Sequence, residues 1–377
     1  MPLTAIKTSN LDTTNSLFFR NRIINGDMRI DQRKAGASLL VNGNEYTLDR
    51  WNAISYVSST FTQKFTTGRN LGSVTPPAGF TNYLGISVTT AYNSWASGDF
   101  FNMVQFVEGY SIADFAWGTA SAKPVTLSFW VRGSVTGTYT VAIRNQDSNR
   151  SYASTYTIST ANTWTYVSIT IPGETSGTWY TDNSRGLELN FDLGRHSSYE
   201  TSSSNTWSTS GSVRIAGTVR LLDTANATLY ITGVQLEVGT AATAFERRPY
   251  GTELALCQRY FHSMGGNQAY EHFAVVSQTS STDSRGMIFL PVSMRTVPSI
   301  GQSGSFSVNG GTSSLTGTYS AGTTMYFNIG GNFGGVQNLG FDFWTGTAGS
   351  FNQTAATMWV VRANASTATR LTFSAEL

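Results

Sequence analysis

Charge is scarce in this 377-residue chain. Asp, Glu, Lys and Arg make up 12% of it, about half the roughly 25% of an ordinary soluble domain. The 24 basic residues nearly cancel the 22 acidic ones, leaving a net charge of +2. That balance excludes the clustered Lys and Arg that a nucleic-acid backbone calls for. A single cysteine, Cys257, excludes an intrachain disulfide and a Cys-rich zinc site. The three histidines, His196, His262 and His272, have no metal-ligand spacing with another His, Cys or acid. No apolar run approaches the roughly 20 residues that cross a bilayer, and Met1 to Leu17 contains no apolar stretch of the kind a secretory leader has. The expectation is a protein made in a cytoplasm, with neither membrane insertion nor a nucleic-acid partner. Glu, Lys and Ala are too few for a coiled coil. There is no Gly-x-Ser-x-Gly elbow, and the glycine-rich Gly330–Gly335 is followed by no Lys that could serve a phosphate.

What the chain has in quantity is Ser and Thr, 97 together, 37 Gly, and 13% aromatic residues. So many aromatic and β-branched side chains argue against disorder. Alternation with period two dominates. In Val125–Val131 the residues Val125, Leu127, Phe129 and Val131 share one face. Tyr139–Ile143, Ser151–Ile158, Trp164–Ile171, Leu187–Leu193 and Leu229–Leu236 read as further strands, separated by Gly, Asn and Ser turns. Short strands at this spacing predict an antiparallel sandwich. One helix is expected over Thr252–Tyr260, with Thr252 as its cap and Leu254, Cys257 and Phe261 at helical spacing. It reads as a hinge, as the neck of an oligomer, or as a plain connector. Strands resume beyond it, through His272–Ser277, Gly286–Val292, Ser305–Val308, Thr324–Ile329, Leu339–Trp344, Thr357–Arg362 and Leu371–Ala375. Between Thr296 and Val361 the only charge is Asp342.

Two kinds of residue are candidates for chemistry. Asp27 and Asp31 lie four apart, so on a strand they would share a face. They read as partners of Arg29, Arg33 or Arg50, as a carboxylate pair, or as part of a calcium site. Tryptophans set among Ser, Thr, Gly and Asn (Trp95, Trp179, Trp207 and Trp344) could stack on the apolar face of a sugar or cover a sheet edge. Trp130 and Trp164, inside strands, read as packing residues.

Two stretches carry a resemblance. The first is Phe19-Arg-Asn-Arg-Ile-Ile-Asn-Gly-Asp-Met-Arg-Ile-Asp-Gln-Arg33 with Tyr46-Thr-Leu-Asp-Arg-Trp51. The second is Leu229-Tyr-Ile-Thr-Gly-Val-Gln-Leu-Glu-Val-Gly239 with Thr243-Ala-Phe-Glu-Arg-Arg-Pro-Tyr250 and Glu253–Phe261. Together they resemble the tail-fibre and related virion proteins of tailed bacteriophages, and the segment they bracket resembles the jelly-roll carbohydrate-binding modules. The resemblance implies a jelly-roll β-sandwich, a place on the virion, attachment to other tail or virion proteins, and a homotrimer. Some similar modules hold a structural calcium, with an acid just before the Val-x-Leu pattern; here that position is Gly233.

The resulting expectation is an all-β chain with four parts. Residues 1–20 form an attachment segment, 21–247 a jelly roll, 248–262 a short helical linker, and 263–377 a second β-sandwich that meets the host. Its function would be that of a non-enzymatic virion protein, a tail fibre that binds a host surface polysaccharide. A head fibre or capsid decoration protein and a glycan depolymerase are the alternatives. Host contact is expected through Phe333, Trp344 and Phe351 on C-terminal loops, while Asp27, Asp31 and Arg50 are expected to pair structurally at the opening of the jelly roll. No catalytic residue, resident metal or cofactor is assigned.

Overall fold

The computed structural model describes residues 19–57, 60–266, 268, 271–278, 283–304, 306–309, 326–328, 338–344, 358–363 and 369–377. The chain divides into two compact units, one ending at Glu253 and the other running from Leu254 to Glu376. Both are β-structures, and one short helix crosses the division.

The first unit is built from β1 (Asn44–Leu48), β2 (Trp51–Val57), β3 (Phe65–Arg69), β4 (Leu84–Val88), β5 (Phe100–Glu108), β6 (Val125–Gly133), β7 (Gly137–Asn145), β8 (Ser151–Ile158), β9 (Thr165–Ile171), β10 (Arg185–Arg195) and β11 (Thr228–Val238). They form two antiparallel sheets. The first has the order β3-β4-β11-β6-β9, with Leu39–Leu40 at its edge; the second runs β8-β7-β10-β5-β2-β1, with Trp207–Ser208 beside β8. Three neighbouring pairs, β3-β4, β7-β8 and β1-β2, are consecutive in sequence, while others such as β4-β11 and β7-β10 are distant, as the crossing connections of a jelly roll require.

Alternation decides what lies between the sheets. On β10, Leu187, Leu189, Phe191 and Leu193 enter the core; on β6, Val125, Leu127, Phe129 and Val131; on β7, Tyr139, Val141 and Ile143. Aromatic rings interlock at the centre: Phe191 meets Phe129 edge-on at 5.1 Å and Trp51 at 6.2 Å. The strand Phe100–Glu108 is buried along nearly its whole length. Residues on both of its faces are buried, so its sequence lacks clean alternation.

The helix α1 spans Tyr250–Gln258, two residues earlier than expected. Thr252, expected as its cap, lies inside the first turn. The Pro249 carbonyl accepts the first helical bond, from Glu253 N at 3.1 Å. Proline suits that boundary because it has no N–H to satisfy.

The second unit contains β12 (Phe261–Gly265), β13 (His272–Gln278), β14 (Asp283–Phe289), β15 (Ser299–Ser303), β16 (Phe306–Asn309), β17 (Tyr326–Asn328), β18 (Asn338–Trp344), β19 (Met358–Ala363) and β20 (Arg370–Ser374). A three-stranded sheet has the order β12-β20-β15, and a six-stranded one β16-β19-β13-β14-β18-β17. Leu371 and Phe373 of β20 are fully buried, with Cys257 and Tyr260. β14 begins at Asp283 and stops at Phe289, short of the expected end at Val292, because Pro291 cannot donate to a ladder.

Candidate functional site

The motif residues of the two ends of the first unit meet in space. Asn21 donates to Val234 O at 3.0 Å and accepts from Leu236 N at 3.0 Å, joining the entry segment to β11. Val234 N donates to Gly26 O at 2.9 Å. A Cβ added at Gly26 would lie 2.2 Å from Val234 O, so no other residue fits this crossing. Asn25 is fully buried, at φ 57°. Its amide donates to Ile30 O at 2.8 Å and Asp49 O at 3.0 Å and accepts from Ile30 N at 2.9 Å. The indole of Trp51 donates to Asn25 O at 3.0 Å. Arg248 reaches Asn21 O, Ile23 O and the Glu253 carboxylate. The motifs thus form a clasp that closes the unit.

Asp27, Asp31 and Arg50 take separate positions in and near this clasp. Neither aspartate lies on a strand; both belong to turns, so the shared-face argument does not apply. Asp27 pairs with Arg29 at 3.0 Å. Asp31 accepts from Lys34 N at 2.9 Å and from Gly36 N, and lies 3.9 Å from Arg69. Arg50, buried at φ 71°, donates to Phe106 O. Among the described residues no group of three or more His, Cys, Asp or Glu is placed to hold a metal ion. Asp27→Asn is expected to lower stability by only about 1 kcal/mol, since Arg29 keeps its bond to the Arg248 carbonyl. A urea melt measures it, and a loss beyond about 3 kcal/mol would give Asp27 a larger part in the clasp.

A groove of about 610 Å³ runs over the outer face of the second sheet. The strands place its floor. Because Phe101, Met103, Leu189 and Phe191 point inward, Asn102, Glu188, Asn190 and Asp192 point outward. Ile54 stands opposite Asn102, and Asn102 opposite Asp192; Phe106 stands opposite Glu188, and Glu188 opposite Arg144. Two arginines sit over rings: Arg185 over Phe106 at 4.8 Å and Arg195 over Phe100 at 4.9 Å. Tyr199 closes one side, 38% exposed, with Arg195 5.7 Å from its ring. Ser210, Gly211 and Ser212 line another part.

The electrostatics of the floor are fixed by burial and pairing. Burial pushes Glu188 up, but Arg144 at 2.8 Å and the Asn190 amide more than offset this and hold its carboxyl below the usual range. Burial pushes Asp192 up against the pull of Arg214 and Arg195, and brings Arg195 down to about 10. The side-chain oxygens of Asn52, Asn102 and Asn190 are buried and receive no hydrogen bond among the described residues. Of the three residues only Asn102 lines the groove, and its oxygen lies beneath the groove surface.

The segment 196–216 that lines the groove is held by Arg214, 1% exposed. It donates to Glu200 at 3.0 Å, to Asp192, and to the Thr218 and Val219 carbonyls. Glu200–Thr201 and Arg214–Ile215 pair in parallel, and Val213 and Ile215 bury a small apolar cluster with Ala142 and Ala153.

Of the contact residues expected in the C-terminal region, Phe333 and Phe351 lie outside the described residues. Trp344 is the last residue of β18, paired with Asp283 and Tyr326, rather than part of a loop. Of the tryptophans set among Ser, Thr, Gly and Asn, the three in the first unit pack against its core. Trp179 and Trp207 join Trp117 in one cluster, and Trp95 packs on Tyr92 and Phe101. The groove residues carried one sequence signal: Leu187–Leu193 alternates apolar with Glu188, Asn190 and Asp192, which places three polar groups on one face of a strand.

No family model matches this chain, and no curated protein matches it. Among solved structures, the enzymatically active domain of tailspike protein 4 of bacteriophage CBA120 is similar at 14% identity and TM-score 0.31, over 58% of this chain and 22% of that one. A CBM4 structure is similar at 12% identity and TM-score 0.29, over 57% and 98%. The N-terminal cellulose-binding domain of Cellulomonas fimi β-1,4-glucanase C gives 11% and 0.26, over 52% and 90%. This chain therefore spans about a fifth of the tailspike structure it matches. None of these three similarities exceeds 14% identity or a TM-score of 0.31, and none is to a tail fibre.

Proposed function

We propose that this chain is a non-enzymatic subunit of a bacteriophage fibre that holds a bacterial surface polysaccharide along the groove of the second sheet. The groove carries the reading. It combines the exposed ring of Tyr199, against which a pyranose ring stacks, with Arg185 and Arg195, held over Phe106 and Phe100, and with Asn44, Ser210 and Ser212, which bond hydroxyls. The virion assignment rests on the motifs at the two ends of the unit. The contact expected around Trp344 is moved to the jelly roll, where the lining side chains form one continuous surface.

The spacing of acids supports binding over cleavage. Glu188 and Asp192 lie on one face four residues apart, which is about 13 Å of strand. Paired glycosidase carboxylates stand about 5–9.5 Å apart. Each of these two acids is also engaged by arginine.

The test is affinity electrophoresis of the full chain through gels cast with a panel of bacterial surface polysaccharides. Retardation by at least one of them is expected, with no shortening of the polysaccharide on prolonged incubation. Tyr199→Ala is expected to weaken the retarding interaction about 5- to 30-fold while leaving the melting temperature within about 2 °C. Shortening of the polymer would replace the proposal with a depolymerase. Binding indifferent to Tyr199→Ala would move the site elsewhere.

A further inference from the structure

The opposite face of the jelly roll carries a second depression, of about 360 Å³, within the range of about 300–1,000 Å³ usual for small-molecule sites. It lies on the outer side of the first sheet. Trp130 of β6 and Tyr166 of β9 are cross-strand partners, with ring centroids 5.3 Å apart and planes tilted by 53°. Tyr166 is 46% exposed. Facing them, Arg247 lies over Phe80 at 4.8 Å and Phe245 at 5.7 Å, and these two rings meet edge-on. The irregularity in β11 between Thr232 and Gln235 makes the space between them. Gly233 there has φ +62°, and a Cβ on it would lie 2.6 Å from Phe80 and 3.2 Å from Trp130.

The polar groups of this depression are unequal to those elsewhere in the unit. The first unit has seven tryptophans, and six donate their indole N–H within the chain. Trp51 donates to Asn25 O, Trp95 to Asp223, Trp117 to Lys123 O, Trp164 to Thr75 O, Trp179 to Ser176 O and Trp207 to Pro172 O. Trp130 has no acceptor among the described residues, and its Cδ1, next to the N–H, borders the depression at Gly233. Arg247 forms no ion pair among the described residues; one of its amino groups donates to Gly79 O, which with the two rings holds the guanidinium in place. The nearby carboxylate, Glu237, already accepts from Gln235 and Thr243.

We propose that this depression binds an acidic sugar, a hexuronate unit of a polysaccharide, distinct from the ligand of the groove. The pyranose face stacks on Tyr166, a ring hydroxyl accepts from the indole N–H at the edge of Trp130, and the carboxylate faces the Arg247 guanidinium. A fixed guanidinium with no acid partner among the described residues selects for an anion, and the adjacent rings select for a flat, partly apolar one.

The experiment uses the full chain labelled with ¹⁵N-tryptophan, titrated with trigalacturonate and with its neutral counterpart, galactotriose. Trigalacturonate is expected to move the Trp130 indole resonance, assigned by Trp130→Phe, with an affinity about tenfold or more above that for galactotriose. Arg247→Gln is expected to abolish that preference, and Trp130→Phe to weaken trigalacturonate about fivefold with the fold intact by circular dichroism. Tyr199→Ala, in the groove, is expected to leave trigalacturonate binding unchanged. No shift of the Trp130 resonance at millimolar trigalacturonate, equal affinity for the two trisaccharides, or an unaltered preference in Arg247→Gln would overturn the proposal. Loss of trigalacturonate binding in Tyr199→Ala would also overturn it, by placing the acid in the groove, and would leave the function proposed for the groove standing.

Discussion

Replacing Asn25 with alanine is expected to destabilise the first unit by about 4 kcal/mol. Three backbone groups depend on its amide, the N–H and carbonyl of Ile30 and the carbonyl of Asp49. The site is fully buried, so water cannot replace the lost bonds, and each stranded group costs about 1–3 kcal/mol. A further share comes from the backbone. At φ 57° asparagine is tolerated and alanine is strained by about 1 kcal/mol. The two contributions separate by experiment, because Asn25→Gly loses the same bonds and relieves the strain. Both variants should melt lower, alanine by roughly 8–16 °C on the scaling for a unit of this size, and glycine by some 2–4 °C less. If the two variants melted together, the left-handed backbone would contribute nothing. If both stayed within about 2 °C of the parent, the clasp would not hold the unit.

That clasp gives a physical reason for the motifs that were legible in the sequence. Asn25-Gly26, Asp49-Arg50-Trp51, Val234-Gln235 and Arg248 are far apart in the chain and adjacent in the fold, and each is there for a bond or a close approach that few residues could supply. Strands buried on one face, such as Thr165–Ile171, were read from alternation almost to the residue. Phe100–Glu108 was not, because a central strand with buried residues on both faces has no period to read. The groove was hidden for another reason. Its floor belongs to strands whose inward faces already explained them, and its side depends on the segment 196–216, whose polar sequence reads as a loop. The pairing of Arg214 with Asp192 and Glu200, with the apolar cluster around Val213 and Ile215, shows that this segment is fixed. The tryptophans of the first unit teach the converse: Trp95, Trp179 and Trp207, in polar surroundings, are packed, while Trp130, inside a strand, is the one there whose N–H has no acceptor among the described residues.

Arg214→Met is expected to affect stability and binding together. The side chain is 1% exposed and bridges Asp192, which is fully buried, to Glu200. Removing one member of a buried ion pair strands the other, at a cost of about 3–5 kcal/mol. Methionine keeps most of the volume, so the loss reports charge and hydrogen bonds rather than a cavity. The pH dependence distinguishes this from general loosening. Burial already pushes Asp192 up, with Arg214 the first of the groups opposing it. Without Arg214 its pKa in the folded state rises further, so the Asp192 charge is a larger burden on the variant at neutral pH than on the parent. As pH falls and Asp192 takes up its proton in both proteins, that difference disappears. The stability gap should therefore be widest at neutral pH and narrow as the pH falls through the raised Asp192 pKa of the variant. Because the same side chain fixes residues 196–216 beside the groove, polysaccharide retardation should weaken by at least the 5- to 30-fold expected of Tyr199→Ala. Chemical denaturation across pH 4–8, alongside electrophoresis at pH 7, reads both. A gap independent of pH would mean that Asp192 does not depend on Arg214, and full binding in the destabilised variant would show that the groove does not need segment 196–216.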